Sequence, residues 1–194
     1  MAFHLLSQDG LEDLCDVWRG QSFSFSLNYR VVWYSVIYAV SRTLDVLDGF
    51  LCAKKPRYII LFGSCYLGFP IKNRSVVVPI EAHQEAVGIG GRADDLLVET
   101  AIEVIRDSGF TIHIRKNHLS TLSFVTKIGR EEAESVDMET ATVYYLANKH
   151  NIPSVAILGV SDYKYEEKIR FVEYEEELKD DIFKMALEAL SRLI

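Results

Sequence analysis

Cysteine is scarce in this 194-residue chain, and its three copies, Cys15, Cys52 and Cys65, are odd in number and nowhere spaced Cys-x-x-Cys. That excludes a disulfide framework and a zinc site of the usual spacing. The five histidines (His4, His83, His113, His118, His150) form no His-x-x-x-His pair. A metal-independent protein of a reducing compartment, the cytoplasm, is the expectation. No apolar run approaches the roughly 20 residues that span a bilayer, so no membrane association is expected. The N-terminal MAFHLLSQDGLEDL lacks a basic segment and does not read as a signal peptide. Basic charge is also short: 21 Lys and Arg against 28 Asp and Glu give a net charge of −7. A nucleic acid polymer is thereby an unsuitable partner, because phosphates require a basic face. A small anionic substrate stays open, since local arginines act against the global charge. Repeats, low-complexity segments and linkers are absent, and the length suits one domain over residues 1–194.

What is present is an ordinary globular mix, 49% hydrophobic and 25% charged. Short apolar runs alternate with longer helical patterns. Strands are predicted at Phe3–Leu6, at Phe23–Leu27 (alternating Phe and Ser), and in Val31–Val40, which runs on into a helix over Ser41–Cys52. Arg57–Phe62 is a continuous apolar run ending in Gly63-Ser64, the mark of a buried strand followed by a turn. Ser75–Ile80 is a further strand, with Pro79 at an edge or an end. Gly88–Gly91 reads as flexible. Asp94 or Asp95 caps a helix to Ser108, stopped by Gly109. Phe110–Ile114 alternates as a strand, and Ser123–Lys127 is a short extended stretch. Asp137–Asn148 reads as a helix, Ser154–Val160 as a second buried strand, and Tyr174–Ile194 as a final helix. Such alternation predicts an α/β fold of three layers, with a central mixed, largely parallel sheet flanked by helices.

Ligands of open α/β sheets bind beyond the carboxyl ends of strands. Two buried strands point there: one runs into Gly63-Ser64-Cys65, the other into Ser161-Asp162-Tyr163. A carboxyl at the tip of a core strand is partly desolvated, which favours its protonated form and suits it to donate a proton to a leaving group. Asp162 fits that description, and equally that of a turn or helix cap. Glu139, after Val136 and Met138, can accept two hydrogen bonds from a vicinal diol; it can equally be a favourable charge at a helix start. Gly63-Ser64 can hold an anion or a water, or be a plain turn. Arg92 reads as a surface arginine or an anion contact, and Tyr144 and Tyr145 as core or interface residues.

Together these residues carry a pattern. Val136-Asp137-Met138-Glu139-Thr140-Ala141, then Pro153, then Gly159-Val160-Ser161-Asp162 resembles the signature of the nucleoside phosphorylase/nucleosidase superfamily. Arg57-Tyr58-Ile59-Ile60 with Gly63-Ser64, then Val76-Val77-Val78-Pro79, and Ser123-Phe124-Val125 follow that family's order over roughly residues 55–165. The resemblance implies cleavage of the N-glycosidic bond of a purine-type nucleoside. Asp162 would serve the departing base at N7. Met138 and Glu139 would hold the ribose, with Asp137 and Ser161 beside them. Phe124 would pack on the base or sugar, Val125 would offer backbone hydrogen bonds, and Ser64 would touch the nucleophile. It implies no cofactor, inorganic phosphate being a co-substrate only in a phosphorylase, and a homo-oligomer of dimers or multiples of dimers. The family's phosphorylases carry an Arg just before Gly-Ser and Gly-Asp-Pro-x-Arg near the N-terminus. Here Leu61-Phe62 and Ser7-Gln8-Asp9-Gly10 stand instead, which favours hydrolysis. The hydrolases activate water with a Glu after the first strand, a part Glu12 or, after it, Asp9 can take; Glu12 can equally be a first-turn helix acid. Arg30, Arg42 or Arg92 would serve a phosphorylase, and a catalytically silent nucleoside-binding protein is the third possibility.

Overall fold

The computed structural model describes residues 3–8, 22–27, 30–37, 40–53, 55–71, 73–84, 86–122, 133–166 and 168–193. In chain order the elements are β1 (Phe3–Gln8), β2 (Ser22–Leu27), β3 (Arg30–Ile37), α1 (Val40–Ala53), β4 (Ile59–Leu67), β5 (Ser75–Pro79), β6 (Glu81–Gln84) and β7 (Ile89–Arg92). There follow α2 (Asp95–Asp107), β8 (Thr111–Arg115), β9 (His118–Ser120), β10 (Ser135–Asp137), α3 (Thr140–His150), β11 (Ser154–Tyr165), β12 (Lys168–Phe171) and α4 (Glu175–Arg192).

The described strands join in one mixed sheet, in which β4 and β11 are the parallel centre. The apolar run of each strand explains that position, since a strand covered on both faces must be apolar throughout. Ile59–Phe62 and Val155–Leu158 are all buried. β4 has β11 along one side. Along the other it has β1 for its first half and β10 for its second, both antiparallel. β11 in turn meets β5 and then β12, also antiparallel. The sheet therefore branches at the carboxyl halves of its two central strands.

The helices form two pairs. α2 packs on α4, and α4 lies against β4 and β11; α1 packs on α3, which lies against β6, β7 and β11. Amphipathic spacing drives the first contact, whereas α3 is buried on nearly every face from Thr140 to Ala147. In α4 the residues Leu178, Ile182, Met185, Ala186, Ala189 and Leu190 are buried; in α2 Leu97, Val98, Ala101, Val104 and Ile105 are. Asp94 is the N-cap of α2, accepting from the Leu97 N–H at 3.1 Å, and Gly109 follows the helix with φ 76°, as the sequence leads one to expect. Gly159 lets α4 approach: a Cβ there would lie 2.9 Å from Leu178 Cγ.

Three sequence expectations need correction. Gly63-Ser64 is not a turn: β4 continues to Leu67 because Gly63 and Ser64 keep pairing with Leu158 and Gly159. Gly88–Gly91 is not a loose segment. Only Gly88 turns (φ 64°), and Ile89–Arg92 pairs with β6. Gly91 is pressed on α3, where a Cβ would come within 2.6 Å of the Tyr144 backbone. Asp137 does not open a helix: it ends β10, and the helix begins at Thr140. No helix among the described residues is long and apolar enough to cross a membrane.

Candidate active site

The site is built around the second half of β4. Tyr66 pairs with Val136 of β10 on one side and with Asp162 of β11 on the other. Neighbouring strands lie about 4.8 Å apart, so the backbones at Val136 and Asp162 stand roughly 10 Å from each other. That brings the Asp137-Met138-Glu139 segment and the Ser161-Asp162 pair to two sides of one strand. Cys65 registers both: burial pushes its thiol well up, and the negative charges of Asp137 and then Asp162 push it further.

The β10–α3 corner is held by a dense polar network. Asp137 is fully buried. Its Oδ1 accepts from Ser120 Oγ at 2.6 Å and lies 3.0 Å from His118 Nε2; its Oδ2 accepts from the Thr140 N–H at 3.0 Å and from the Thr140 hydroxyl. Ser120 Oγ accepts in turn from the Ala141 N–H at 2.8 Å, and His118 Nδ1 meets Ser135 Oγ at 2.7 Å. Parallel pairing of β9 with β10 sets these contacts, placing His118 beside Ser135 and Ser120 beside Asp137. Burial alone would raise the Asp137 carboxyl, but His118 and the Ser120 and Thr140 donors outweigh it and hold the group below its usual value.

This network caps α3. Asp137 and Ser120 take two of the N–H groups that a helix start leaves without a partner. Glu139 occupies the N-cap position, is 1% exposed, and its side chain makes no capping bond. Glu139 thus stands at the helix start as a buried acid, while the capping bonds are made by Asp137 and Ser120. Met138 beside it is half-buried.

On β11 the ladder to β4 slips by one residue: Val160 faces Cys65, Asp162 faces Tyr66, and Ser161 between them is extra. Successive residues of a regular strand point to opposite faces, so their side chains cannot meet. The bulge removes that restriction. Ser161 Oγ donates to Asp162 Oδ1 at 2.7 Å, with the Cys65 carbonyl as alternative acceptor at 3.4 Å. Asp162 is buried at 5% exposure, yet inside a strand rather than at its tip, since β11 runs on to Tyr165 and pairs there with β12.

Ser64 is buried in β4, opposite Gly159. Arg92, a candidate anion contact, pairs with Asp95 at 2.8 Å. Glu12, Phe124 and Val125 lie outside the described residues, as do the side chains of Arg30 and Arg42. His118 and Ser120 were missed by sequence reasoning; a buried His and Ser flanking an apolar Leu119 were the only local signal. Among the described residues, the grouping of His, Cys and Asp with ligand-like spacing lies elsewhere, on α1 and α3.

A branched mixed sheet between helix pairs, with acidic residues flanking one central strand, defines an α/β protein of the nucleoside phosphorylase fold. The same fold is seen in the 5′-methylthioadenosine/S-adenosyl homocysteine nucleosidase of Campylobacter jejuni, with a TM-score of 0.67 at 11% identity, covering 89% of this chain and 90% of that one. The chain belongs to the phosphorylase superfamily, whose family model matches residues 39–194. A purine nucleoside phosphorylase DeoD-type from Streptococcus pyogenes serotype M5 (strain Manfredo) is 32% identical over 77 residues, 36% of this chain and 32% of that protein. Its namesake from Lactococcus lactis subsp. cremoris (strain MG1363) is 28% identical over 102 residues, 50% of this chain and 44% of that protein. The chain thus spans less than half the length of these curated relatives.

Proposed function

We propose that this protein cleaves the N-glycosidic bond of a purine-type nucleoside, with water as the nucleophile. The observation that carries the reading is the pairing of Tyr66 with Val136 on one side and Asp162 on the other. It stands the Asp137–Glu139 segment and the Ser161-Asp162 pair on two sides of one strand, roughly 10 Å apart, which supports a site that holds a sugar with one and meets a base with the other. Glycosidic cleavage passes through an oxocarbenium-like state, so a site must steady a positive sugar and accept charge on a departing base. Glu139 accepts hydrogen bonds from the ribose hydroxyls, with Met138 packed against the sugar and Asp137 fixing the backbone of both. Asp162, oriented by Ser161, hydrogen-bonds or protonates the base at N7 as it leaves. Ser64 contacts the nucleophile, Glu12 activates it, and Phe124 and Val125 close over the base. The protein works in the cytoplasm as a homo-oligomer, without a cofactor.

The purine preference draws on the names of the two streptococcal and lactococcal relatives. Those names also favour a second reading, phosphorolysis, with phosphate replacing water and ribose 1-phosphate as product. A panel of purine and pyrimidine nucleosides, assayed for free base with and without inorganic phosphate, separates the two. Base release without phosphate is expected. Release that requires phosphate converts the assignment to a phosphorylase. Tight binding without release identifies a nucleoside-binding protein instead.

A further inference from the structure

At the end of the molecule where α1 and α3 both terminate, Asp48 and Cys52 of α1 meet His150, the last residue of α3. The Asp48 carboxylate, Cys52 sulfur and His150 imidazole offer one ligand atom each, and these atoms all lie within 4.8 Å of one another. His150 Nε2 is 2.9 Å from Asp48 Oδ1. Asp48 and Cys52 stand four apart on their helix, hence on one face of it. We propose that this cluster is a binding site for one divalent transition-metal ion of the zinc type, clamping α1 to α3.

The donor chemistry argues for the ion. One sulfur, one imidazole nitrogen and one carboxylate oxygen form the mixed set that suits zinc or cobalt, with solvent in the fourth tetrahedral position. Bond lengths of about 2.0–2.3 Å put such ligand atoms roughly 3–4 Å apart, within the spacing seen. The electrostatic setting agrees. Two helices end here, and each C-terminus carries partial negative charge that favours a cation. The fold already holds a cation at this carboxylate: Lys149 Nζ lies 3.1 and 3.3 Å from the two Asp48 oxygens.

An ion-pair staple of Asp48, Lys149 and His150 uses no sulfur, whereas the exposed Cys52 thiol lies within 4.8 Å of both other ligand atoms. In the metal-bound form Cys52 loses its proton to solvent and ligates as thiolate. His150 ligates as neutral imidazole, and the Lys149 ammonium gives up its place on Asp48. Metal binding therefore releases a proton and competes with a lysine.

The test uses the full chain, stripped of metal and titrated with cobalt(II). A sulfur-to-cobalt charge-transfer band that saturates at one equivalent is expected. It should be lost in Cys52→Ser and in His150→Ala, and kept in Cys15→Ser. Lys149→Ala should bind cobalt about tenfold more tightly, because a competing charge is gone. Circular dichroism confirms that each variant is folded, which exposure of Cys52 leads one to expect. Absence of the band, its survival in Cys52→Ser, or unchanged affinity in Lys149→Ala overturns the proposal.

Discussion

Two buried aspartates flank the same strand in contrasting settings. Asp137, at the end of β10, is used by the fold: both its oxygens accept hydrogen bonds that close the start of α3, and His118 stands against it. Asp162, across β4, sits on an irregularity beside a hydroxyl from its own neighbour. The same residue type at similar depth is thus an anchor in one place and, under the proposed function, a reagent in the other. Burial does not separate the two roles. Asp137 is tied to the backbone N–H that opens α3, whereas Asp162 takes the hydroxyl of Ser161 beside it.

That contrast can be tested from its largest consequence down. Asp162→Asn should cut turnover by about 10²–10⁴-fold, the usual scale for a general acid, with little change in melting temperature. Steady-state base release and a thermal scan of the same sample check both halves. Asp137→Ala should do the reverse, costing about 3–5 kcal/mol of stability by stranding His118, the Thr140 N–H and the Ser120 and Thr140 hydroxyls, read by urea denaturation. The sign of its pH dependence follows from the depressed carboxyl. The stabilisation is complete above the unfolded value near 4 and is lost as pH falls through the lower folded value. Acid unfolding below pH 4 should therefore be steeper in the parent than in Asp137→Ala.

Glu139→Gln is expected to raise KM for the nucleoside about tenfold while leaving kcat less affected, since it weakens a hydrogen bond to a charged acceptor. Smallest of all, Ser161→Ala should lower turnover roughly three- to tenfold without shifting the unfolding midpoint, the worth of one orienting hydrogen bond. If Asp137→Ala and Asp162→Asn lose stability and activity in the same proportion, the division of labour is wrong.

The long elements were legible because their signals are local. The alternating and continuous apolar runs mark β4, β8 and β11, and the Asp94 cap and Gly109 stop bound α2. The resemblance around residues 136–162 singled out Asp137, Met138, Glu139, Ser161 and Asp162, but no local signal marked the bulge that carries the last two. What stayed hidden depends on partners distant in sequence. β9, β10 and β12 are three or four residues long, too short for any periodicity, and exist through pairing. Val-Asp-Met-Glu-Thr reads as a helix start until β9 claims its first residues as a strand. His118 and Ser120 precede their contacts by 17 residues, and no local rule joins them to Asp137. The Asp48–Cys52–His150 cluster escaped for the same reason, because motif spacing looks along the chain and the third ligand comes from another helix.

The extra residue on β11 has one more consequence. On both sides of Ser161 the rungs already match, Val160 with Cys65 before it and Asp162 with Tyr66 after it. Excising that serine would let the β4 and β11 rungs run on without a seam, at the cost of the carbonyl that accepts from the Val172 N–H at 2.9 Å beyond β12. A chain shortened by this single letter would keep the β4–β11 ladder and forfeit the hydroxyl beside Asp162, so under the proposed function the irregularity serves the acid through its hydroxyl and the sheet through its carbonyl.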